Sequence, residues 1–157
     1  MNQWPLQSGA DDFYGNPRGR NGRVSPLWML RNLTHIEPPF AMTYAGDAIS
    51  HVVIHRKCAD SLSRILQTVW DASKHDQKQV DDWGASIFGG SFNYRLKRGS
   101  STLSMHAYAC AIDLAPDRFP MGRARPTFCA EVLNAFAAEG WINLPRDRMH
   151  FQAARLN

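Results

Sequence analysis

The chain lacks any apolar run of 18 residues, so no membrane-spanning helix is expected. It also lacks a basic leader followed by an apolar stretch. Met1 to Gly15 is interrupted by Asp11 and Asp12, and no secretory signal peptide is expected. Cysteine is scarce: Cys58, Cys110 and Cys129 cannot pair completely, and none stands in a C-x-x-C. That argues against both a disulfide framework and a thiolate zinc knuckle. Gly89-Gly90 is not followed by G-K-[ST], which argues against a phosphate-cradling loop. Lysine and arginine outnumber aspartate and glutamate 18 to 14, for a net charge of +4 and attraction to polyanions. The cations are dispersed rather than gathered in a stripe with stacking aromatics, so no nucleic-acid partner is expected.

What is present suits one domain. A length of 157 residues with 44% hydrophobic side chains can bury a core without staples. The reading is a single catalytic domain, 1–157, of which 1–26 is an irregular basic arm. Seven glycines and prolines punctuate that arm, and Trp4, Phe13 and Tyr14 pin it down. Leu33 to Ile36 reads as extended. Phe40 to Tyr44 and Ile49 to His55 read as strands of a hairpin turning at Ala45-Gly46-Asp47. Cys58 to Lys74 is the clearest helix, with Leu62, Ile65, Leu66, Val69 and Trp70 on one stripe. Residues 75–82 are polar and solvated, and 83–93 hold a strand leading to Tyr94-Arg95. A Pro-rich loop spans 115–126. A second helix starts at a Thr127 cap and stops at Gly140. The fold class predicted is α+β: a small, mostly antiparallel sheet packed against two main helices.

The chemistry concentrates in two places. Ser104-Met105-His106-Ala107-Tyr108-Ala109-Cys110-Ala111-Ile112-Asp113 sets an imidazole and a carboxylate seven positions apart. Alternation puts Ala109, Ala111 and Asp113 on one strand face and Cys110, Ile112 and Leu114 on the other. A turn through Ala107 and Tyr108 folds His106 back towards Asp113. Near the C-terminus, Asp147-Arg148-Met149-His150-Phe151 supplies a second carboxylate and imidazole. His106, Asp113 and His150 thus make three nitrogen or oxygen ligands, and a catalytic zinc site uses three protein ligands and keeps one position open. Asp147 is left over as a general base. It stands three residues before His150, an offset that sends the two to opposite faces of a regular strand. The chain must therefore bend there, and Pro145 makes a bend plausible. His35, His51, His55 and His75 compete as ligands. His51 and His55 share a period-two face, and the plainer reading makes them partly exposed strand residues.

Ser104-x-His106-x-x-Ala109-x-Ala111-x-Asp113 resembles the S-x-H-x-x-G-x-A-x-D signature of the zinc D-Ala-D-Ala carboxypeptidase and phage L-alanyl-D-glutamate endopeptidase family. Asp147-x-x-His150 is similar to that family's second motif, and Tyr94-Arg95 to its Tyr-Arg element. The likeness spans roughly 88–152 and is most like a single-domain phage endolysin. It implies a hedgehog/DD-peptidase-like fold and one Zn2+ held by His106, Asp113 and His150. It implies Asp147 as catalytic base, Arg95 on the substrate carbonyl or carboxylate, and Ser104 supporting the site by hydrogen bonding. The partner implied is the peptidoglycan stem peptide, cut between L-Ala and D-Glu by a monomeric enzyme. It would be made in a host cytoplasm and reach the wall by phage-type release or in a virion. Removal of a terminal D-Ala is the alternative reaction, and an inactive zinc-containing wall-binding module the alternative of another class. The family's glycine is Ala109 here, so a positive φ at that position would be strained.

Overall fold

The computed structural model describes residues 3–157; Met1 and Asn2, the first two residues of the expected arm, lie outside the described residues. Its frame is a six-stranded sheet with a separate two-stranded ribbon and five helices. The strands are β1 (Leu33–Ile36), β2 (Met42–Tyr44), β3 (Asp47–Ile49), β4 (Val52–His55), β5 (Ile87–Gly90), β6 (Ala111–Leu114), β7 (Ile142–Leu144) and β8 (Asp147–Gln152). The helices are α1 (Ala10–Tyr14), α2 (Pro26–Asn32), α3 (Ala59–Ala72), α4 (Gln77–Asp82) and α5 (Ala130–Ala138). The large sheet runs β3-β2-β5-β6-β8-β7, and only the β2–β5 pairing is parallel. The α+β class is as the sequence predicts.

The helices form where apolar spacing demands it. In α3, Leu62, Ile65, Leu66 and Val69 are buried at three- and four-residue steps. In α5, Val132, Ala135 and Phe136 are buried, and the helix stops where Gly140 takes a φ of 77°. Phe136 stacks at 3.9 Å on Phe151 of β8, so α5 braces the back of a strand whose next residue upstream is His150. Ile112 and Leu114, both fully buried, anchor β6 from the same side.

Three local readings are corrected. Ile49 to His55 is not one strand: β3 closes the hairpin on β2, and β4 leaves to pair with β1. Residues 75–82 contain α4, which the Asp76 side chain caps by accepting the Lys78 N–H at 3.0 Å, with Val80 buried beneath. Thr127 caps nothing, because α5 begins three residues later behind Cys129.

His55 is fully buried rather than partly exposed. Its Nδ1 accepts the Lys57 N–H at 3.0 Å and its Nε2 donates to the Tyr14 carbonyl at 3.0 Å, so the ring is held neutral. Burial is the main force that pushes its pKa down, from 6.5 to about 4. A histidine whose folded pKa lies below its unfolded one contributes stability that is complete above pH 6.5 and lost as pH falls towards 4. Across that window the loss is on the order of 3 kcal/mol. Denaturant unfolding at pH 6.5 and 4.5 should therefore show a smaller acid loss for His55→Gln than for wild type. Equal losses would refute a neutral buried ring.

Candidate metal centre

Ser104 starts the local geometry. With extended backbone it caps the helical turn Met105–Tyr108, its Oγ accepting the His106 N–H at 3.3 Å. The turn ends at Ala109, whose backbone is left-handed at φ 53° and ψ 33°, so the condition for strain at the motif's glycine position is met. The reversal lays His106 back over β6, where Asp113 stands. Antiparallel pairing then sets Asp113 directly opposite His150 on β8, so the two side chains share a face.

His106 Nε2, His150 Nδ1 and Asp113 Oδ1 converge: the nitrogens are 3.1 Å apart, and each is 3.2 Å from the carboxylate oxygen. The far side of each ring is occupied. His106 Nδ1 donates to the Ser91 carbonyl at 2.9 Å. His150 Nε2 donates to Gln152 Oε1 at 2.9 Å, and the Gln152 amide is turned that way because its nitrogen donates to the Ala154 carbonyl. A neutral imidazole that donates from one nitrogen presents a lone pair on the other. Two lone pairs and a carboxylate therefore face one another with no hydrogen between them. Tetrahedral zinc, with bonds of about 2.0–2.1 Å, needs donors about 3.3 Å apart. The residues fit a zinc ion in number, type and spacing.

Among the described residues no other three such side chains cluster. His75 lies on the surface against Asp71 at 2.8 Å, and His35 and His51 face each other elsewhere at 5.0 Å.

Asp147 reaches the same cavity through a bulge. Asn143 pairs with Phe151, but Leu144 pairs with Asp147, so Arg148, Met149 and His150 bow out of register. The Asn143 amide holds that bow by donating to the carbonyls of Arg148 at 2.8 Å and His150 at 3.0 Å. Pro145 is thus only part of the bend. Asp147 Oδ1 is buried without a hydrogen-bond partner. Burial first, and the Asp113 charge next, push its carboxyl up, while the Arg95 charge pulls the other way.

Asp147, His106, His150, Ser104 and Arg95 line one cavity of about 300 Å³, joined on the cationic side by Lys97 and Arg98. Arg95 is exposed, and its carbonyl accepts the Ser104 N–H at 3.0 Å, so the basic loop leaves and returns at the site. A smaller cavity behind Asp113 and His106 also reaches Arg95. Sequence reasoning missed Gln152, Ser91 and Asn143. The two-residue step from His150 could have found Gln152; Ser91 acts through its backbone, and Asn143 through a bulge that only pairing reveals.

Gln152→Leu should weaken zinc binding about 10- to 100-fold in competition with a chromophoric chelator. His55→Ala should leave the affinity near wild type, and unchanged affinity in Gln152→Leu would sink the role of the amide. Ala109→Gly sheds about 1–2 kcal/mol of left-handed strain. It loses about as much through a freer unfolded chain and one buried methyl. Its unfolding free energy should thus stay within about 1 kcal/mol of wild type.

Residues 98–153, about a third of the chain, match the family model described as D-alanyl-D-alanine carboxypeptidase. The stretch contains Ser104, His106, Asp113, Asp147 and His150, while Arg95 lies just outside it. No curated protein and no solved structure matches the chain. The convergent His-Asp-His group and this match together support a metallopeptidase of the kind that acts on peptidoglycan.

Proposed function

We propose that the chain is a zinc-dependent endopeptidase that hydrolyses the L-Ala–D-Glu amide of the peptidoglycan stem peptide, as a phage endolysin does. The observation that carries this is the convergence of three electron-pair donors beside a buried carboxylate oxygen with no partner of its own. A zinc ion held by His106, Asp113 and His150 would polarise the scissile carbonyl and acidify a water in its open position. Asp147 Oδ1, with nothing else to accept from, takes the proton of the attacking water and returns it to the leaving amine. Arg95 grips a substrate carboxylate through parallel hydrogen bonds, a geometry lysine lacks. Ser104 keeps the His106 backbone in place.

Two features favour an endopeptidase over removal of a terminal D-Ala. Two cavities adjoin the donor cluster, a larger one lined by Asp147 and a smaller one lined by Asp113, and His106 and Arg95 line both. The larger one adds two further cations, Lys97 and Arg98, beside Arg95. Such a wall suits the acidic D-Glu half of the stem, which bears more than one carboxylate. An inactive wall-binding module would have no use for the orphaned Asp147 oxygen.

Digested peptidoglycan analysed by mass spectrometry should show new N-terminal D-Glu; released D-Ala would instead establish the carboxypeptidase reaction. Asp147→Asn should lower kcat about 10²- to 10⁴-fold while zinc content stays at one ion. If that variant clears walls at the wild-type rate, the base is misassigned. Chelation should abolish clearing and added zinc restore it.

A further inference from the structure

The small cavity behind Asp113 does not end at the metal centre. It shares Gly90 and Ser91 with a second surface cavity of about 300 Å³ lined by Tyr44, His51, Val53, Phe88 and Phe92. Gly90 stands opposite Asp113 in the sheet with a φ of 126°, and a Cβ placed on it would meet nothing within 4 Å. No side chain at Gly90 therefore stands between the small cavity, of about 50 Å³, and this second one. Beyond it, Tyr44 and Phe88 sit side by side on β2 and β5 with ring centroids 5.8 Å apart, and Tyr44 is half exposed. The Ala45-Gly46 turn, with both φ values positive, holds Tyr44 at the tip of the edge hairpin.

We propose that this aromatic shelf is the subsite for the glycan strand, binding the N-acetylated sugar that carries the stem peptide. The inference rests on the endopeptidase reading and extends it. With the L-Ala–D-Glu bond at the donor cluster, the acidic half of the stem lies along Arg95, Lys97 and Arg98. The other half is then L-Ala and its lactyl-linked sugar, and it must leave across Gly90. What waits there has the chemistry a neutral pyranose needs. The half-exposed Tyr44 ring, set edge-to-face against the partly buried Phe88, receives its C–H face, and no Lys, Arg, Asp or Glu lines the cavity. The His51 ring and the Tyr44 hydroxyl supply polar groups for hydroxyls and the acetamido group. A carboxypeptidase acting at the far end of the stem would have no sugar to place there.

The test pairs kinetics with binding. The zinc-loaded wild type should cleave a disaccharide-linked stem peptide with kcat/KM about five- to tenfold above that for the free stem peptide. Tyr44→Ala should erase that preference through KM and leave the free peptide unaffected. In parallel, titration with the N-acetylglucosamine tetrasaccharide should shift the amide resonances of Tyr44, Phe88 and Gly90 in wild type but not in Tyr44→Ala. No wild-type preference, a preference that survives Tyr44→Ala, or no shifts on titration overturns the proposal. If wild type cleaves neither substrate, the endopeptidase reading fails, and the titration alone decides the shelf.

Discussion

Two imidazole lone pairs and a carboxylate oxygen pointing at one another across little more than 3 Å is an arrangement that a protein does not hold without reason. Without a cation among them, mutual repulsion would spread the three side chains or draw protons in. The Ser91 carbonyl and the Gln152 amide prevent the easy escape, since each fixes the tautomer and the tilt of one ring. Behind them Ile112, Leu114 and Phe151 are fully buried, so β6 and β8 cannot slide apart to relieve the strain. The local chemistry thus depends on a register, Asp113 opposite His150, that the core enforces.

That dependence explains which parts were legible in the sequence. A buried strand with one acidic position breaks alternation visibly, and Ala111-Ile112-Asp113-Leu114 announces its strand, its core face and its functional face together. The left-handed turn before it was legible only as a condition, since Ala109 stands where the motif uses glycine and the sequence does not give the sign of its φ. The offset of three between Asp147 and His150 betrayed an irregularity, but not its cause. The bulge is made by β7, and the Asn143 amide that satisfies its carbonyls lies outside both motifs. Long-range pairing also decided the break between β3 and β4. The run Ile49 to His55 alternates like one strand, and nothing local says that its two halves serve different sheets. The short helix at 77–82 was missed because its polar surface hides the one buried residue, Val80.

The left-handed Ala109 needs support beyond its own turn, and that support leads away from the metal centre. Its carbonyl accepts the His55 N–H at 2.8 Å, and the His55 ring bonds the carbonyl of Tyr14. The same Tyr14 carbonyl accepts from Trp28 Nε1, so both of its lone pairs are used. Tyr14 in turn donates its hydroxyl to the Ala153 carbonyl at 2.6 Å, just beyond the strand that carries His150. One buried tyrosine is therefore bonded directly to the segment after His150 and, through His55, to the turn after His106.

The rest of the N-terminal segment repeats the pattern. Tyr108, at the end of the His106 turn, donates to Asp11 Oδ1 at 2.5 Å, and Arg18 donates to the same oxygen at 2.9 Å. Arg155 donates its backbone N–H to Pro5 and its side chain to Trp4. Lys97, from the basic loop of the cleft, reaches Gln7 at 3.0 Å. These contacts join residues distant in sequence and leave the donor cluster itself untouched. Their common effect is to fix the two pieces that bear His106 and His150 to one strap of chain. A donor set that repels itself keeps its spacing only if its supports move as one body, and residues 4–14 connect those supports.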